Sequence, residues 1–114
     1  MKLLDLSCRI EDIENAQIIA GGAVCFISAT EPLYGKFAVT PEELYFFFDE
    51  AADESVPLEF RQQRLLPKCI KIADIATINK GISFLKPFTI VEKDGTKTKF
   101  GTWKKKDLFA LLGK

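Results

Sequence analysis

A mainly β, α+β fold is predicted for these 114 residues: about seven antiparallel strands, a C-terminal helix and a short N-terminal helix. Three observations carry the prediction. Residues 23–49 hold three short runs of β-branched and aromatic residues separated by turn chemistry. Residues 87–102 read as a hairpin around Lys93-Asp94-Gly95. Residues 103–112 place Leu108, Phe109, Leu111 and Leu112 at spacings of three and four, with Gly113 just beyond.

Each element follows from local chemistry. In residues 1–17, Ile10, Ile13 and Ala16 or Gln17 recur at spacings of three. Ser7 offers an N-cap, and Glu11 and Asp12 suit a first turn, so a short helix is expected as an extension of the core at 18–112. Gly21-Gly22 marks a turn or bulge. In residues 36–40, Phe37 and Val39 share one face, and Lys36, Ala38 and Thr40 the other. Thr40-Pro41-Glu42-Glu43 is a type I turn, because Pro41 presets φ and lacks the donor a central strand needs. The next run puts Leu44, Phe46 and Phe48 inward but leaves Tyr45 and Phe47 on the outer face, which therefore needs a cover, whether the helix or a partner.

Residues 49–55 carry four acids without periodicity and read as a solvated loop. Strands are expected at 58–60 and 69–72 around the connection 61–68, and a bend at Ala73-Asp74 precedes a strand at 75–79. In the last hairpin a two-residue Asp94-Gly95 loop would set Ile90 against Lys99. A three-residue loop with Gly95 left-handed sets Phe88 against Phe100 and Ile90 against Thr98, and turns Lys97 and Lys99 outward. The second register is expected. Thr102 is the expected N-cap of the final helix.

The length suits one domain, 1–114, with a real core. No apolar run approaches the ~20 residues of a membrane span, and the first residues lack the apolar region of a signal peptide, so a cytoplasmic protein is expected. Cys8, Cys25 and Cys69 have no metal-ligand spacing and are expected to be reduced, mostly buried thiols. Net charge is zero, yet residues 1–60 carry three bases against twelve acids (net −9) and residues 61–114 thirteen against four (net +9). That asymmetry permits an acidic and a basic pole.

The residues Gly35-Lys36-Phe37-Ala38-Val39-Thr40, Leu44-Tyr45-Phe46-Phe47, Ile70-Lys71-Ile72-Ala73-Asp74-Ile75 and Lys93-Asp94-Gly95, followed by the helix, resemble the PH-like superfamily in its GRAM and bacterial PH-like branch. The resemblance implies a barrel of two near-orthogonal sheets with the helix plugging one end. It also implies a non-catalytic binding module. No ligand motif transfers: the loop at 30–34, where many lipid-binding members place basic pairs, has one acid and no base.

Catalysis fits poorly, since the chain has no histidine, no nucleophile with an evident base, and acids gathered in loops. No phosphate-binding loop is present, and neither cofactor nor metal is implied. Lys104, Lys105 and Lys106 oppose the macrodipole in a helix first turn. With Lys97 and Lys99 they form a candidate anion- or lipid-binding patch, or else a solvated surface. Trp103 beside them is either core or an interfacial anchor. Nucleic acid is disfavoured, because the patch lacks arginine and regularly spaced aromatics. Two functions remain: protein contact or self-association through Tyr45, Phe47 or a strand edge, and peripheral binding to an anionic membrane, at its cytoplasmic face, through the lysines.

Overall fold

The computed structural model describes residues 2–4, 8–28, 31–49, 66–80 and 87–113. Nine strands are found among them: β1 (Lys2–Leu3), β2 (Gln17–Ile19), β3 (Val24–Ser28), β4 (Glu31–Val39), β5 (Glu43–Phe48), β6 (Lys68–Lys71), β7 (Ile75–Asn79), β8 (Phe88–Glu92) and β9 (Lys97–Gly101). Two 3-10 turns, η1 (Ile10–Asp12) and η2 (Ile72–Asp74), and a helix, α1 (Lys105–Leu112), complete them. Every pairing is antiparallel, in one hydrogen-bonded path β1-β6-β5-β4-β3-β9-β8-β7, with β2 on β4. The path is open, ending at β1 and β7 among the described residues.

One strand serves both wings of this sheet. Residues 31–34 of β4 pair with β3, while residues 35–39 pair with β5 and, over 37–39, also with β2. The change of partner falls at Gly35, whose N–H donates to the Ala23 carbonyl at 2.9 Å while its register partner is Phe48. Glycine is required there: a Cβ would run into the Phe47 carbonyl oxygen and stand 2.8 Å from the Phe46 ring.

The inward rows of both wings then meet in one core. Phe37 of β4 lies 5.1 Å from Phe46 and 5.3 Å from Phe100, both edge-on, and Phe88 lies 5.0 Å from Phe109 of α1, also edge-on. Each such pair adds about 0.5–1.5 kcal/mol beyond area burial. Cys25, Leu44, Ile70, Ile90, Leu108 and Leu112 fill the same core. The helix therefore covers the inward end of the sheet and not the Tyr45/Phe47 face.

Turn chemistry behaves as the sequence predicts. Thr40 closes the β4–β5 turn: its N–H donates to the Glu43 carbonyl (2.9 Å) and its Oγ1 accepts the Glu43 N–H (3.0 Å). Gly95 sits at φ 91°, Phe88 faces Phe100 and Ile90 faces Thr98, with Lys97 and Lys99 exposed. Asp94 accepts the Thr96 N–H at 2.9 Å, and this bond holds its carboxyl below the ordinary range. The expected bend at 73–74 is η2, and Gly113 ends α1 at φ 71°.

Five expectations are corrected. The N-terminal helix is a single 3-10 turn with Arg9 at its N-cap position, and Gln17 onward is strand, because β4 offers β2 a hydrogen-bonding edge that outweighs local spacing. Residues 31–34 are not loop but the first part of β4. Pro32 is tolerated because at Pro32 the strand pairs on one side only among the described residues, beside a register shift in β3. Ala38 is buried, lying between Ile18 and Tyr45 on neighbouring strands. The strands number nine among the described residues, the extra two being β1 and β2, which precede the first expected strand. The helix begins at Lys105, with Lys104 and not Thr102 at the N-cap. The acidic loop beyond Asp49, the strand at 58–60, Gly81 and Ser7 lie outside the described residues.

Gly35→Ala is expected to destabilise the chain by at least ~2 kcal/mol, since neither a backbone oxygen nor a core ring can retreat cheaply. The midpoint of urea unfolding at unchanged slope measures this. A midpoint equal to wild type would contradict the role given to Gly35.

Candidate functional site

The end of β9 is tied to the β2–β3 turn through one carbonyl. Gly21 O accepts the Thr102 hydroxyl at 2.7 Å and the Trp103 N–H at 2.9 Å, and Thr102 Oγ1 in turn accepts the Lys104 N–H at 3.1 Å. Thr102 is buried by this arrangement, and its two successors are pushed out: Trp103 is 77% exposed, although it is larger than any side chain in the core. Its indole lies on Gly22, at φ 61°, where a Cβ would stand 2.8 Å from the ring. The Lys104 methylenes lie in the same way on Gly21. One face of the indole thus rests on backbone and the other meets water.

Strand register extends this point into a surface. Tyr34, Val24 and Gly101 form one outward row across β4, β3 and β9, and Pro32, Phe26 and Lys99 form the next. Tyr34 is 59% exposed. The Lys99 ammonium sits 4.8 Å from the Phe26 ring centre, within cation–π range. Lys36 and Lys97 are exposed along β4 and β9, and Lys104 and Lys106 at the start of α1. Asp49 is the acid beside this face, its N–H donating to the Tyr34 carbonyl at 3.0 Å.

The expected site residues divide. Lys97, Lys99, Lys104 and Lys106 are exposed, but Lys105 is buried: its Nζ donates to the Lys80 carbonyl at 2.8 Å, and burial pulls its pKa down. Lys105 therefore does not belong to the patch. Phe47 is buried and stacks 6.1 Å from Tyr45, which is half-buried. Tyr45 is hydrogen-bonded with Glu43 and Cys69, and burial, Cys69 and Glu43 push its phenol well up. The Cys69 thiol donates to Glu43 Oε2 at 3.0 Å and is pushed up to about 12 by burial and that bond. Burial pushes Cys25 to about 11. Such thiols are poor nucleophiles. The Tyr45/Phe47 pair is thus largely satisfied within the chain, while Tyr34, Phe26 and Lys36 belong to the exposed face. The alternation Pro32-Leu33-Tyr34 was the available signal for a strand there, masked by the proline.

A second concavity lies at the far end of β2. Residues 12–15 and 40–43, with Tyr45, line a groove of about 450 Å³ rimmed by Asp12, Glu14 and Glu42. Gln17 pairs with Val39 at this end, and Gly22 lies under Trp103 at the other. Among the described residues no three His, Cys, Asp or Glu are placed to hold a metal ion, and no helix is long and apolar enough to cross a membrane.

No protein-family model and no curated protein matches this chain. Among solved structures it is similar to the C-terminal domain of an unknown protein from Leishmania infantum, with a TM-score of 0.60 over 92% of each chain at 15% identity. At that identity the likeness speaks for the fold alone.

Lys105→Glu is expected to cost about 2–3 kcal/mol, because it removes the donor to the Lys80 carbonyl and buries a carboxylate beside that oxygen. Lys104→Glu and Lys106→Glu are expected to change stability by less than ~0.5 kcal/mol. Thermal or urea unfolding of the three single variants checks this. Equal effects at all three positions would contradict the inward placement of Lys105.

Proposed function

We propose that this chain is a PH-like module of the GRAM type, without chemistry of its own, that makes a protein contact through the outer face of β4, β3 and β9. The fold part of this reading is supported by the path β6-β5-β4-β3-β9-β8-β7: seven strands in which β3 bonds both β4 and β9, followed by a helix on the core. Curling of the two wings onto one phenylalanine core fits a barrel of two packed sheets. The protonated thiols fit a reducing, cytoplasmic setting.

The contact is carried by the exposed indole of Trp103. A large apolar ring left in water forgoes roughly 2–3 kcal/mol of burial, and tryptophan is prominent among residues that dominate protein interfaces. Here the Gly21 carbonyl fixes the backbone at Trp103 and the ring rests on Gly22, so part of its side-chain freedom is already lost before docking. The neighbouring Tyr34 and Phe26 widen the apolar centre, and the lysines supply a polar rim.

A second reading rests on the same indole beside Lys97, Lys99, Lys104 and Lys106: attachment to an anionic membrane surface, at about 1 kcal/mol per well-placed lysine. A photo-crosslinking residue at position 103, with another at exposed Ala110 as control, separates the two. Protein adducts of discrete mass from position 103 alone, suppressed by excess wild type, are expected. Lipid adducts from position 103, with salt-sensitive sedimentation on anionic vesicles, would replace protein contact by the membrane reading. Equal adducts from both positions would contradict any special role for Trp103.

A further inference from the structure

Resting on the protein-contact reading, we infer that the partner of the Trp103 face is a second copy of this chain, docked head to tail with its acidic groove over the indole. Three observations converge. The Trp103 end carries exposed Lys104 and Lys106 at the start of α1 against one acid there, Asp107, whereas the groove is rimmed by Asp12, Glu14 and Glu42, so the two surfaces are complementary in sign. The groove, about 450 Å³, is open and more polar than apolar; Ile13, Pro41 and Tyr45 supply a small apolar part on which a planar ring can rest while the acids of the rim meet the lysines. The whole chain has a formal net charge of zero, so copies do not repel one another at long range and the separated poles attract.

The geometry also dictates the kind of assembly. The indole and the groove lie at opposite ends of β2, so one copy can offer its ring to a neighbour while receiving the ring of another. An interface between two different patches is heterologous: it propagates into chains or rings and does not stop at a two-fold dimer. Because the rim is charged and wet, association should be reversible and weaken with salt.

The test is mass against concentration, by light scattering or sedimentation velocity, at low and high salt. Wild type should grow past dimer as concentration rises at low salt and shrink at high salt. Trp103→Ala removes the ring but keeps the groove, and a Glu14→Lys, Glu42→Lys variant spoils the groove but keeps the ring. Each alone should be monomeric, with self-affinity at least about tenfold weaker. Mixed in equal amounts they should form a one-to-one heterodimer and nothing larger. All three substituted side chains are exposed, and circular dichroism confirms the fold. Should either variant unfold, mapping wild-type-fold adducts from a crosslinker at position 103 onto residues 12–15 or 40–43 decides the question. A strictly monomeric wild type whose position 103 still crosslinks to another protein would overturn head-to-tail docking and leave protein contact standing. A monomer with no adducts would overturn both, and a single variant that still dimerises would overturn the heterologous geometry.

Discussion

Nearly everything in this structure depends on β4 being shared. Its first residues complete the wing formed with β3, β9, β8 and β7, and its last residues complete the wing formed with β5, β6, β1 and β2. A side chain at Gly35 would collide with the backbone and ring of β5, so the crossing point tolerates only hydrogen at Cα. Because both wings radiate from one strand, Phe37 near its middle touches Phe46 on one side and Phe88 and Phe100 on the other. The core is therefore a consequence of the crossing, and α1 completes it through Phe109. What remains for function lies on the outside of the sheet and at the ends of its strands.

Lysines in a helix first turn are unfavourable to the dipole, and the structure shows how that conflict is resolved. The helix starts two residues later than the sequence predicts, so Lys104 stands at the cap and spreads over Gly21, and Lys105 turns inward to bond the Lys80 carbonyl just past β7. Only Lys106 remains as an exposed cation within the first turn. The same adjustment frees Trp103 from the helix. An apparent violation of a local rule is thus half structural, in Lys105, and half a surface feature, in Trp103 and its neighbours.

The parts of the fold that were legible in the sequence are those decided locally. The β8–β9 register follows from one glycine and an alternating pattern, and the β4–β5 turn from Thr40 and Pro41. The parts that were not legible depend on distant partners. Residues 17–19 become strand because β4 has an edge to fill, Ala38 is buried because two strands flank it, and Pro32 hides the start of a nine-residue strand. The candidate site was half legible: four of its lysines were found from sequence. Tyr34 and Phe26 are set by the register of β3 on β4 and β9, and the outward turn of Trp103 goes with a hydrogen bond between residues 81 positions apart, Thr102 and Gly21, none of which a local pattern encodes.

That bond makes the central claim directly measurable, because Trp103 is the chain's single tryptophan. Its fluorescence, read from a dilute solution in which copies are dissociated, reports one environment. The account predicts the red-lying emission of an indole in water and ready quenching by iodide, enhanced by the neighbouring lysines. A blue-shifted emission shielded from iodide under those conditions would mean that the ring is buried within its own chain, and the proposed contact surface would have no centre.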